Sequence, residues 1–376
     1  MKIDKNKLSK ALKQIGIFVG KNVINQNASL VHFKNKDNKA MIFATDFASA
    51  GRAYFETEET DEFEFCIEYA QLLQAKRIRG KEIEINIFEN RELDNGMKVN
   101  GIEFFDDKTK FTWSLHDPEE LIGIEKATSI PEVPFFQIDA KTLKNALREA
   151  GYARNEKESQ CIYINGVNFT TNGDNVSMAS TDRHRIASWS SVQQNIEGVD
   201  NTSMSGILSP KTIQSVGLFD DDEVVKIYIE DSKIVLVSDS LEAYATKIQC
   251  EYPDVSKFFE KPVLSSYEIS SKDVIESLSI IEGIKTNSLR LEFTEDVVKI
   301  TAKNNIGDNV VDYFACKRIS GNDEDIWLDP VLFMDIFKNI DNEKMTLEFR
   351  DMGNSFKILS YVSDDGAYGM LAPQRK

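Results

Sequence analysis

Ile3-Asp4-Lys5-Asn6-Lys7-Leu8-Ser9-Lys10-Ala11-Leu12 opens the chain, and its pattern returns twice: as Ile138-Asp139-Ala140-Lys141-Thr142-Leu143-Lys144-Asn145-Ala146-Leu147, and as Ile269-Ser270-Ser271-Lys272-Asp273-Val274-Ile275-Glu276-Ser277-Leu278. Each copy has an apolar residue, an Asp or Ser, and then aliphatic or small residues at i, i+3 and i+4, with Ile15, Ala150 and Ile281 at i+7. That spacing is one face of an α-helix behind a capping side chain. Every copy therefore reads as a short strand, a cap and a helix. The offsets of 135 and 131 residues are domain-sized, too long for a solenoid repeat.

A fainter copy lies inside each third: Ile67-Glu68 before Ala70-Gln71-Leu72-Leu73, Leu208-Ser209-Pro210 before Ile213, and Leu328-Asp329-Pro330 before Leu332-Phe333. The last two place proline at the first helical position, where its missing N–H costs nothing. Downstream, Glu82-Ile83-Glu84-Ile85-Asn86-Ile87, Val225-Lys226-Ile227-Tyr228-Ile229 and Thr346-Leu347-Glu348-Phe349 alternate polar and apolar, as half-buried antiparallel strands do. The expectation is an α+β chain of three similar domains, each made of two helix-plus-antiparallel-meander modules. Proline-bearing joints, Ile130-Pro131-Glu132-Val133-Pro134 and Pro253 to Pro262, set the domains at 1–130, 135–253 and 263–376.

Charge is distributed by element. The formal net charge is -17, which alone argues against a nucleic-acid partner. Yet the six expected helices, 5–15, 69–79, 140–154, 210–218, 271–285 and 330–340, carry 15 Lys or Arg against 5 Asp or Glu. In the first, Lys7, Lys10 and Lys13 oppose Leu8, Ala11, Leu12 and Ile15 at 100° per residue, and Lys141, Lys144 and Arg148 repeat the arrangement in the second domain. A single basic face is more often a solvated helix surface than a binding site. Recurrence in several repeats, against an acidic remainder, instead fits a positive lining that meets phosphates without reading bases. Lys7, Lys10, Lys13, Lys76, Arg77, Arg79, Lys141, Lys144, Arg148, Arg154 and Lys211 are the expected DNA-facing residues. The third domain departs from this, since its first helix sets Lys272 and Lys285 against Asp273, Glu276 and Glu282.

Catalytic and cofactor chemistry finds little support. There is no GxxxxGK[ST] and no strand-linked GxGxxG, so nucleotide hydrolysis and dinucleotide binding are not expected. The four cysteines, Cys66, Cys161, Cys250 and Cys316, stand singly and read as buried free thiols; with three scattered histidines they give no metal spacing. The most enzyme-like cluster, Asp182, His184 and Arg185, lacks a neighbouring nucleophile or second acid and reads as a structural turn. No apolar run reaches membrane-spanning length and the start carries no signal-like segment, which favours the cytoplasm.

Several segments resemble the bacterial beta sliding clamp family, the processivity subunit of DNA polymerase III. Ser180-Thr181-Asp182-Arg183-His184-Arg185-Ile186-Ala187 is similar to the family's Ala-Thr-Asp-Gly-His-Arg-Leu-Ala, with Ile164-Asn165-Gly166 ahead of it. Glu251-Tyr252-Pro253-Asp254 resembles the entry to the second joint, Ala372-Pro373-Gln374-Arg375-Lys376 resembles the carboxyl-terminal Met-Pro-Met-Arg-Leu, and Ala44-Thr45-Asp46 echoes the Thr-Asp turn in the first domain.

The resemblance covers the whole chain. It implies a non-enzymatic, cofactor-free homodimeric ring around double-stranded DNA, with helices inside and sheets outside, that tethers a replicative polymerase. It also implies a groove taking short peptides of polymerase and clamp-loader subunits, made by Ile164, Thr181, His184, Arg185, Ile186, Pro253, Phe258, Met370, Leu371, Pro373 and Arg375, and a subunit contact of Phe111 with Ile280 and Ile281 of a second copy. Departures fall on the groove: Arg183 stands where the family has glycine, Ala372 and Gln374 where it has methionines, and Lys257 replaces an arginine. The competing expectation is a protein–protein adaptor that never surrounds DNA, which would have no need of the basic helices.

Overall fold

The computed structural model describes residues 2–374 apart from 21–24, 59–60, 93–97, 118, 159, 173–174, 193–203, 285, 305 and 355. Among the described residues are eight α-helices: α1 (Lys5–Ile15), α2 (Tyr69–Ala75), α3 (Glu119–Ala127), α4 (Ala140–Gly151), α5 (Pro210–Val216), α6 (Ser256–Phe259), α7 (Ser271–Glu282) and α8 (Pro330–Asn339). The six expected helices are present, each followed by a three-stranded antiparallel meander, from Leu30–Lys36, Lys39–Thr45 and Ala50–Glu56 after α1 to Lys344–Asp351, Lys357–Ser363 and Ala367–Leu371 after α8. Five of them stop short of the expected ends, α2 by four residues, α4 and α7 by three, α5 by two and α8 by one, and α4, α5 and α7 end at or just before Gly151, Gly217 and Gly283. The caps act as their chemistry dictates: Asp4 accepts from the Asn6 and Lys7 amides, and Asp329, ahead of Pro330, accepts from Val331 and Leu332.

The strand that opens each module pairs with the meander of the other module of its pair, and Val263–Ser270 in addition pairs with Asn309–Ser320 of its own. Lys2–Asp4, ahead of α1, pairs with Glu82–Glu92 after α2, while Phe63–Glu68, ahead of α2, pairs with Leu30–Lys36 after α1. The exchange recurs as Phe136–Asp139 with Val224–Ile229, Met204–Leu208 with Val167–Asn172, Val263–Ser270 with Lys344–Asp351, and Glu324–Leu328 with Leu289–Phe293. The strands assemble into sheets of 4, 8 and 12 strands among the described residues.

By its contacts the chain forms two compact units. The first takes Met1–Lys141 and Lys211–Lys247, and holds the four- and eight-stranded sheets. Its α1 buries Leu8, Ala11, Leu12 and Ile15, and the rings of Phe33, Phe63 and Phe65 stack at 5.0–6.2 Å. The second takes Thr142–Asn195 and Ile248–Lys376 with the strand Met204–Leu208, and holds the twelve-stranded sheet. Its core gathers Tyr267, Phe293 and Phe349 with ring centroids 4.9–6.1 Å apart, under Val274, Leu278 and Ile281 of α7 and Phe333, Ile336 and Phe337 of α8. The division follows the sheets rather than the repeat, because one sheet runs on through Ala50–Glu56 into Leu241–Thr246 and the other through Arg185–Val192 into Ala367–Leu371.

Two sequence expectations need correction. The cysteines are free, but only Cys66 is buried; Cys161 and Cys316 are half-buried and Cys250 is exposed, because Cys250 lies past the end of the strand Leu241–Thr246. Burial pushes the Cys66 thiol up to about 12 and that of Cys316 up to about 11. The helix α3 was not expected, although Asp117-Pro118-Glu119-Glu120 before Leu121 carries the proline and acidic first turn of a helix start.

α3 is fastened to its sheet through Arg52. Arg52 Nη2 donates to the carbonyls of Glu125 and Thr128, while Nη1 donates to Glu242 Oε2 (2.7 Å) and Tyr244 Oη (2.9 Å). Tyr54 and Tyr244 both donate to the same Glu242 carboxylate at 2.7 Å, and burial together with that carboxylate pushes both phenols up. This buried ion pair spans the sheet junction, facing Arg52 with Glu242 in register. Arg52→Ala leaves Glu242 uncompensated and is expected to lower the unfolding free energy by about 3–5 kcal/mol in urea melts. A loss under about 1 kcal/mol would mean that water replaces the guanidinium there.

Candidate peptide groove, basic faces and free strand edges

The turn 181–185 is built by side chains. Thr181 Oγ1 donates to the Arg185 carbonyl (2.6 Å) and accepts from the Arg183 amide (3.1 Å), and Asp182 Oδ1 accepts from the amides of His184 (2.9 Å) and Arg185 (3.0 Å). Arg183 is driven to φ 75°, in the left-handed region. The first unit repeats this turn bond for bond. Thr45 Oγ1 donates to Ser49 O (2.7 Å) and accepts from the Phe47 amide (3.0 Å), Asp46 Oδ1 accepts from Ala48 and Ser49, and Phe47 has φ 68°. Both turns are tied to a helix by an ion pair, Arg185 Nη1 to Asp335 Oδ2 of α8 at 2.8 Å, and Asp46 Oδ2 to Lys211 Nζ of α5 at 3.1 Å. Burial works against ionisation of Asp46, but the bonds from Ser49 and Lys211 outweigh it and hold its carboxyl below the ordinary range.

The expected groove residues divide into floor and rim. Ile164, Thr181, Ile186, Met370 and Leu371 are buried, with Arg185 opposite Leu371 and Ile186 opposite Met370 in register. His184, Pro253 and Phe258 are exposed and Pro373 is half-buried; Arg375 lies outside the described residues. Ala372 donates its amide to His184 O at 2.9 Å, which draws the carboxyl-terminal segment along the turn. Gln374 faces away from any apolar role, donating Nε2 to Asn287 O (2.8 Å) and its amide to Trp327 O (2.8 Å). Arg185 is consumed internally: Nε meets Asp182 Oδ2 at 3.0 Å, Nη1 meets Asp335, Nη2 meets Tyr152 O at 3.2 Å, and its side chain is only 9% exposed. Beneath it the hydroxyls of Tyr152 and Tyr361 meet at 2.5 Å.

The expected DNA-facing residues are less uniform than their sequence pattern. Lys7, Lys10, Lys13, Arg77, Arg79, Lys141 and Arg148 are exposed; Lys76, Lys144, Arg154 and Lys211 are half-buried. Lys76, Arg77 and Arg79 lie in the turn after α2, and Arg154 lies beyond the end of α4. Lys10 pairs with Asp220, and Arg154 Nη2 pairs with Glu156 at 2.8 Å. Lys211 donates to Ile17 O at 2.6 Å besides its bond to Asp46, so its ammonium ties the helix to the turn.

Of the expected subunit-contact residues, Phe111 lies on a strand and Ile280 and Ile281 lie on α7. Phe111 is half-buried on Lys110–Ser114, stacked on Trp113 at 5.1 Å, and among the described residues that strand pairs only with Lys98–Phe105. In the second unit Ile280 is 57% exposed, whereas Ile281 is buried and lines a cavity of about 270 Å³ between α7 and α8 with Leu278, Pro330, Val331 and Met334. Among the described residues, 309–315 of the long strand Asn309–Ser320 pair on one side only, with Val297–Lys303. Sequence reading missed this second open edge, on which Val311 and Tyr313 stand exposed; the alternation Val311-Asp312-Tyr313 marks the strand but not that its edge is open.

With this geometry in view, family models agree. The DNA polymerase III beta subunit central-domain model matches residues 137–254, and the C-terminal-domain model of the same subunit matches residues 265–375, together more than half of the chain. The chain belongs to the beta sliding clamp family. The beta sliding clamp of Streptococcus pneumoniae TIGR4 is 21% identical over 286 residues, 74% of each chain, and that of Staphylococcus aureus Mu50 is 22% identical over 307 residues, 80% of this chain and 76% of the relative. Among solved structures, the DNA polymerase III beta subunit of Pseudomonas aeruginosa covers 100% of both chains at 17% identity with a TM-score of 0.84. That of Thermotoga maritima gives 0.82 at 18% identity, covering 100% of this chain and 99% of the other.

Measured against the sliding clamp pattern, Arg183 is a costly departure, since φ 75° suits the glycine that the family segment carries there. Arg183→Gly is expected to raise the unfolding free energy by about 0.5–1 kcal/mol in chemical denaturation. A fall instead would mean that the Arg183 contact with Glu158, at 3.0 Å, contributes more than the backbone conformation costs.

Proposed function

We propose that this chain is a catalytically inert DNA sliding clamp: two copies close head to tail into a ring around duplex DNA and tether the replicative polymerase for processive synthesis. One observation carries the reading. Twice inside the chain, the beginning of the third strand of one meander pairs antiparallel with the last strand of another: 50–53 with 241–244, and 185–189 with 367–371. Among the described residues there is then one unmatched example of each partner, 309–315 and Lys110–Ser114, each with an open edge. A second copy supplies what the first lacks, and two such junctions close a ring in which each of these strands has its partner. Phe111 would then face the α7–α8 cavity beside Ile280 of the neighbouring copy.

The repeat divides such a ring into domains at 1–130, 135–253 and 263–376, with the helices toward DNA. Lys7, Lys10, Lys13, Arg77, Arg79, Lys141 and Arg148 give sequence-independent contact with phosphates, and Lys76, Lys144 and Arg154 stand beside them. Lys211 contributes through its turn more than through phosphate. Topology rather than affinity holds such a clamp on DNA, so an acidic chain can serve. The chain holds no nucleotide motif, so opening falls to a separate loader. The groove of the second unit takes short peptides of polymerase and loader subunits on the floor of Ile164, Ile186, Met370 and Leu371, gated by His184, Pro253, Phe258 and Pro373. The protein works in the cytoplasm, and no helix among the described residues is long and apolar enough to cross a membrane.

Light scattering after size exclusion should give a particle of twice 42.7 kDa with a central hole in negative stain, and Phe111→Asp should return it to one copy. A compact wild-type monomer at micromolar concentration would overturn the ring. Phe258 is 40% exposed, so Phe258→Ala should weaken capture of a polymerase's clamp-binding peptide at least tenfold, about 1.4 kcal/mol, without lowering stability. Undiminished capture would remove Phe258 from the groove.

A further inference from the structure

We propose that Arg183 is a specificity-determining residue of the groove, selecting peptides that carry a carboxylate beside their apolar anchors; the inference rests on the groove assigned above. The turn itself does not call for arginine. Its twin in the first unit makes the same hydrogen bonds with Phe47 at the equivalent position, so the bonds fix the backbone and leave the residue open. A side chain retained at φ 75° works against the local backbone preference, and such outliers gather where a side chain has a task.

The surroundings indicate that task. Of the two arginines on the turn, Arg185 has its guanidinium spent on Asp182, Asp335 and Tyr152 O. Arg183 is 54% exposed and meets one carboxylate, Glu158 Oε2 at 3.0 Å. Glu158 is held from behind, its Oε1 accepting from the Gln160 amide (2.8 Å) and its carbonyl accepting from Asn165 Nδ2 (3.0 Å), one residue from Ile164 on the groove floor. Glu158 on Nη2 and the Cys161 sulfur on Nη1 (3.9 Å) thus orient the guanidinium at the rim, where more than half of the side chain stays open to solvent. A planar fork of this kind matches a carboxylate in two-point contact better than any other side chain does. With a net charge of -17, the molecule repels acidic peptides elsewhere, so a local guanidinium discriminates sharply.

Two pairs of labelled synthetic peptides test this, each with leucine and phenylalanine anchors, differing only in Asp or Asn at the position before or after them. Dissociation constants are read by fluorescence anisotropy. Wild type should bind the Asp member of one pair about five- to tenfold more tightly. Arg183→Gly, which suits the turn, should erase that preference while keeping the affinity for the Asn peptide. Glu158→Gln should alter the preference without abolishing binding. Equal binding of Asp and Asn peptides by wild type, or a preference that survives Arg183→Gly, overturns the role of Arg183 and leaves the groove standing. Failure of all four peptides to bind wild type overturns the groove, and this inference with it.

Discussion

A β-strand left unpaired along one edge exposes a row of donors and acceptors, and the architecture follows from how those rows are matched. Each opening strand is hydrogen-bonded into the other module's meander, so neither helix-and-meander module has a complete sheet by itself. Lys2–Asp4 in the sheet of α2, and Phe63–Glu68 in the sheet after α1, make two modules one folding problem. The same demand acts within each unit, where the third strand of one meander takes the last strand of another. Helix caps, apolar faces and aromatic stacks then stabilise sheets whose order is already set.

The proposed groove is a by-product of one of these junctions. Arg185 and Ile186 stand opposite Leu371 and Met370 because Arg185–Val192 and Ala367–Leu371 are neighbours in the sheet, which lays the carboxyl-terminal segment against the Thr181 turn. Below, the Arg185, Asp182, Asp335 and Tyr152 network is satisfied internally, which holds the turn in place and, in the proposed groove, would leave recognition to the residues above it. Rim and support have separate residues, so one can change without the other.

Much of the fold was legible because it is periodic. Leu8, Ala11, Leu12 and Ile15 face the core as their spacing requires, and Pro330 after Asp329 starts α8 where a capped proline should. The exchange of opening strands was not legible, since Ile3 and Ile67 look alike and nothing local tells which meander each joins. Thr181, Asp182 and Arg185 were identified as a unit through resemblance, but the partner of Arg185 lies 150 residues away in Asp335, and no pattern of spacing announces that. Lys211 looked like the other basic residues of its class until its ammonium met Ile17 O and Asp46. Periodicity reports which face of an element is buried; it is silent on what a polar side chain finds across the sheet.

The ion pairs that tie the two Thr-Asp turns to their helices run in opposite senses. In the first unit the turn contributes the acid, Asp46, and α5 the base, Lys211; in the second the turn contributes the base, Arg185, and α8 the acid, Asp335. A chain made of near-copies runs the hazard that one copy's helix docks on another copy's turn, since backbone and apolar faces are interchangeable. Here the exchange would bring Asp335 against Asp46 and Lys211 against Arg185. Reversed polarity gives each helix an address, so a duplicated sequence can assemble in a single order.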